Sequence, residues 1–75
     1  MPVIHNTDLV EVRVDDENPN ILYVRHKNNR NIEFILWPEN EVQGGRPALI
    51  VEPAVGSKME IDVNGTQPQV VIVPV

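Results

Sequence analysis

Leu9-Val10-Glu11-Val12-Arg13-Val14 decides the fold. Valines alternate with charges at a period of two, which places Val10, Val12 and Val14 on one face of a β-strand and Glu11 and Arg13 on the face turned to water. The segment after it, Asp15-Asp16-Glu17-Asn18-Pro19-Asn20, gathers turn formers and a proline, so the strand ends in a loop. Working outward, Ile21 to His26 is β-branched and aromatic enough for a second strand. Lys27-Asn28-Asn29-Arg30 then supplies a polar turn in which an asparagine can take positive φ.

A third strand follows over 31–37, with Ile32, Phe34 and Leu36 on one face and Glu33, Ile35 and Trp37 on the other. Pro38 to Pro47, with Gly44-Gly45, breaks the pattern and is expected to cross from one sheet to another, lying over Trp37. Ala48 to Glu52 is a short apolar strand between prolines. Lys58 to Val63 alternates again, with Met59, Ile61 and Val63 inward. Asn64-Gly65 signals a two-residue hairpin turn into the tail Gln69-Val70-Val71-Ile72-Val73-Pro74-Val75. That tail is apolar on both faces, and Pro74 removes a backbone donor, so the tail belongs at a sheet edge or against a neighbour.

No window has a helical period, and seven prolines leave little room for one. Short strands with turn signals between them predict a single all-β domain over 1–75. Its expected form is a six- or seven-stranded antiparallel β-sandwich of immunoglobulin-like kind, or a small barrel. A chain of 75 residues buries only about 60% of the surface its unfolded form exposes. With no cysteine to staple it, the remaining route to stability is oligomerisation or docking.

The same inventory excludes several chemistries. The lone serine, Ser57, sits in a turn far in sequence from His5 and His26, and two isolated histidines do not make a zinc site. The acids of 15–17 lack the spacing of a calcium loop. The expectation is therefore no enzyme, no catalytic or metal-binding residue, no cofactor and no small-molecule substrate. A net charge of −5 argues against nucleic acid and anionic membranes as partners. Met1 to Asn6 has neither a basic start nor a long apolar run, so the expectation is cytoplasmic synthesis as a soluble protein.

What remains points to other protein subunits, in a homo-oligomer or a larger assembly. Arg25, Lys27 and Arg30 hold half of the Lys and Arg of the chain and form a candidate electrostatic docking knob, at the opposite end of a meander from Asp15, Asp16 and Glu17. Ile35 and Trp37, with Val71, Val73 and Val75 of the tail, are the candidate apolar interface, because a two-layer sandwich needs only one apolar face per strand. These features predict a non-enzymatic structural or interaction module, most concretely a virion decoration or cement-type subunit. The alternative is a small acidic regulatory binder or inhibitor of another protein.

Overall fold

The computed structural model describes residues 2–39 and 44–75. Seven strands form two antiparallel sheets: β1 (Val3–Asn6), β2 (Val10–Val14), β3 (Leu22–His26), β4 (Glu33–Glu39) and β5 (Ala48–Pro53) in one, β6 (Ser57–Asp62) and β7 (Gln69–Pro74) in the other. The spatial order of the large sheet follows the chain, β1-β2-β3-β4-β5. The protein is all-β, and among the described residues no helix is long and apolar enough to cross a membrane.

The sheet does not close into the barrel that the strand spacing also allowed. Closure would require β1 to bond β5, whereas these two are its opposite edges and the chain leaves β5 for a separate hairpin. The described strands are joined in sequence order, without the Greek-key return that marks immunoglobulin-like sandwiches.

Register settles the faces. Val10, Val12 and Val14 lie opposite His26, Val24 and Leu22. Leu22 and Val24 lie opposite Leu36 and Phe34, which in turn oppose Val51 and Pro53. These residues share one apolar face, because side chains alternate along each strand. The other face carries Glu11, Arg13, Tyr23, Arg25, Glu33, Ile35, Trp37, Ile50 and Glu52. In the hairpin, Met59 opposes Ile72 and Ile61 opposes Val70, so these four form one stripe, with Lys58, Glu60, Val71 and Val73 on the reverse.

Three local expectations are corrected. Strand β4 runs through Pro38 instead of stopping before it: pairing with β3 ends at Leu36, so Pro38 has a neighbour on the β5 side alone and its missing N–H is tolerated as at an edge. The β6–β7 hairpin exists, but Gly65 has no positive φ and the two-residue turn is replaced by the longer loop 63–68, where Asn64 N donates to Asp62 Oδ1 at 2.9 Å. Among the described residues no asparagine takes positive φ either; the turn after β3 is closed by Ile32 N to Asn29 O and by Asn31 N to Asn29 Oδ1. A fourth correction concerns the 38–47 connection: it does not cross between sheets but joins β4 to β5, antiparallel neighbours in the same sheet, and its expected position over Trp37 falls on residues 40–43, outside the described residues.

The core is thin. Among the described residues Ile21, at 8% exposed, is the one buried apolar side chain, and no side chain is fully enclosed.

Candidate functional site

The two faces of the large sheet behave differently. On the polar face, Glu11 is 8% exposed, which overturns the expectation that it faces water. The reason is its neighbours: Arg13 Nε donates to Glu11 Oε1 at 2.9 Å, and Arg25 Nη2, from the adjacent strand, donates to the same oxygen at 2.7 Å. The hydrogen bond from Arg13 holds the Glu11 carboxyl below its ordinary range against the opposing effect of burial, and the charges of Arg13, Arg25 and Lys27 act in the same direction. With Tyr23 and Glu33 these groups border a cavity of 130 Å³. Each arginine is committed to a partner within the chain, so the cluster is a clasp across β2 and β3.

Asp15 acts similarly at the end of β2. Its carboxylate accepts from Tyr23 Oη at 2.8 Å and from the backbone N–H groups of Glu17 and Asn18. The Tyr23 hydroxyl is the largest of these influences lowering the Asp15 carboxyl, and the same bond raises the Tyr23 phenol. The loop expected to be merely acidic is thus tied back onto β3.

The sequence-derived interface residues do not converge on one surface. Arg25 serves the Glu11 clasp, Lys27 Nζ donates to Asn6 Oδ1 at 2.6 Å, and Arg30 is exposed in the β3–β4 turn. Ile35 and Trp37 lie on the polar face of the large sheet, where Trp37 opposes Ile50 and its Nε1 donates to Glu52 Oε2 at 2.9 Å. Val71 and Val73 are on the reverse of the hairpin, and the exposed Val75 anchors it by donating its N–H to Gly56 O. The meander does put the 15–17 and 27–30 loops at opposite ends of the sheet.

The site that the architecture does build lies between the apolar face of the sheet and the hairpin. Gly56, at φ 92°, turns the chain out of β5 in a left-handed conformation that side chains resist. Ser57 then pins the hairpin, its Oγ donating to Asn31 O and accepting from Glu33 N at 2.9 Å. The serine hydroxyl is thereby held by backbone on both sides. From this pin the stripe of Met59, Ile61, Val70 and Ile72 extends over the sheet. A cavity of 470 Å³ opens between it and β5, lined by Phe34, Leu49, Val51, Met59, Val70 and Ile72. A second, of 280 Å³, lies on the other flank against Val10, Val24, Ile32 and Phe34.

Exposure grows along the arm. Ile72 is half-buried, Met59 is 41% exposed, Val70 60% and Ile61 70%, while Leu49 on the facing strand is 66% exposed. Both walls are apolar and both are wet. The alternation over 58–63 places Met59, Ile61 and Val63 inward, yet all three are exposed, Val63 at 69%; a period of two carries no signal of how wide the hairpin is. Two strands at about 4.8 Å spacing span roughly 10 Å, against roughly 24 Å for five.

Among the described residues no group of three or more His, Cys, Asp or Glu side chains could hold a metal ion. No family model matches the chain, and neither a curated protein nor a solved structure matches it.

Proposed function

We propose that the protein is a non-enzymatic structural module that docks on or within a larger protein assembly, most concretely a virion decoration or cement-type subunit. The observation that carries this reading is the open apolar trough, where Leu49 and Val70 are more than half exposed, with the exposed Ile61 beyond it on the arm. A patch of this kind on a small domain marks an interaction surface, since water-exposed apolar side chains of neighbouring strands gain free energy only when covered. The fold that goes with this reading is a two-layer sandwich whose second layer, two strands wide in the isolated chain, is completed by assembly. Trp37, Ile35 and Ile50 on the opposite face offer a second, smaller contact, and Arg30 with Lys27 an electrostatic guide at one end.

The test is sedimentation of the tagged full-length chain from a native extract of the cells that make it. The reading expects the chain in fast-sedimenting particles, and expects Leu49→Asp to release it. A wild-type chain found entirely in the slow fractions, at the size of a free small protein, would contradict it.

The alternative, a small acidic regulatory binder or inhibitor, is favoured by one observation: Glu11 gathers Arg13 and Arg25 into one cluster of net charge +1, so in a chain of net charge −5 the charged groups outside it sum to −6. A one-to-one complex with a basic protein, dissociated by salt, would distinguish it.

A further inference from the structure

The chain displays both halves of an unfilled core. One half is the distal part of the β6–β7 arm, with Ile61 and Val70 paired across the hairpin and Val63 just beyond, all strongly exposed. The other is the trough beside β5, where Leu49 and Val51 are exposed on the same face as Phe34. A folded monomer of 8.5 kDa is expected to leave about 4,650 Å² accessible. This chain exposes 5724 Å², roughly 1,100 Å² more than that scaling gives. The excess is on the scale of the roughly 800 Å² that each partner contributes to a standard stable interface.

Two features make a second copy of this chain the fitting occupant. The missing wall and the surplus wall are of like chemistry and belong to the same molecule, so two copies related by a two-fold axis can satisfy both at once, each arm tip in the other's trough. The arm is also suited to close approach: the charges of β6, Lys58, Glu60 and Asp62, lie on the reverse of its apolar stripe, residues 63–75 contain no charged side chain, and β7 and β5 are sheet edges without lysine, which commonly guards such edges. The proximal half of the arm, pinned at Ser57 and covering Phe34 through Ile72, stays on its own sheet throughout.

We propose that the protein forms a reciprocal homodimer in which the distal β6–β7 arm of each copy, through Ile61, Val63 and Val70, covers Leu49 and Val51 of the other. This rests on the docking reading above and names its first partner.

The experiment uses the full chain and two variants, Ile61→Asp in the arm and Leu49→Asp in the trough, with mass measured by light scattering across a concentration series. The wild type is expected at twice the chain mass, and each variant alone at the mass of one chain, its dissociation constant raised at least about tenfold by the charge that burial would strand. Mixing the two variants is expected to restore a heterodimer, because one arm and one trough remain intact. Circular dichroism checks folding, and Val70→Lys serves as a second arm variant if Ile61→Asp fails that check. A wild type that is a monomer throughout, variants as dimeric as the wild type, or a mixture that stays monomeric would each overturn the exchange. None of these results decides the docking reading, which is judged by sedimentation from extract.

Discussion

The β2–β3–β4 centre of the sheet and the β6–β7 arm are both antiparallel, both short and both rich in valine and isoleucine, yet they are held in different ways. In the centre, each strand has neighbours on both sides, and side-chain bonds cross the ladder: Glu11 to Arg25, and Asp15 to Tyr23. In the arm, each strand has one neighbour, and side-chain bonds reach the large sheet at the Ser57 end. Strand propensity made both. What separates them is whether the second face meets anything, and the arm therefore has hydrogen-bonded backbone with a core still missing.

The largest expected effect breaks the centre. Ile21→Ala removes the buried apolar side chain at the entry to β3 and should cost about 3 kcal/mol, a large share of the roughly 4–11 kcal/mol usual for a chain this size. A fall in the urea midpoint with unchanged slope would show it.

Acid is the next probe. The folded-state carboxyls of Glu11 and Asp15 are both lowered, so their stabilisation is fully present above the ordinary carboxylate range and is lost as pH falls through their folded values. The urea midpoint should thus decline on the acid side. Glu11→Gln and Tyr23→Phe should each lower the midpoint at neutral pH and make that decline shallower; a decline unchanged in both variants would remove these carboxyls from the account. Tyr23 has the opposite sign, its raised phenol withdrawing stability only as pH climbs above the ordinary tyrosine range.

Ser57→Ala is expected to cost about 1 kcal/mol by taking the acceptor from Glu33 N, and to loosen the arm more than the centre. Faster amide exchange in β6 and β7 than in β2 to β4 would confirm that distribution. Smallest of all, Ile61→Asp should change the stability of the dilute single chain by no more than about 0.5 kcal/mol, because the site is already open to water. A large loss there, seen in thermal melts at low concentration, would mean that the arm tip is packed within one chain.

Much of the sheet was legible in the sequence. The alternation in 10–14 and 32–37 gives the correct faces, because a period of two leaves no other assignment. The burial of Glu11 was not legible, since the inward and outward rule treats the polar face as water and cannot register two arginines, one on the adjacent strand, folding over a single carboxylate. Nor was the hinge: Asn64-Gly65 carries the stronger turn signal, while the left-handed residue that swings the arm out is Gly56, where a side chain would sit against Asn31, far away in the chain. Trp37 and Val71 read equally well as interface residues, and only the separation into two sheets puts them on different surfaces.

The central claim is that the arm lacks its core in one chain and gains it from another, whereas the centre is held within one chain. Amide hydrogen exchange of the full-length protein over a range of concentrations tests this most directly. The account expects protection in β6, β7 and β5 to rise with protein concentration while β2, β3 and Ile21 stay constant. Exchange in the arm that is independent of concentration would contradict it.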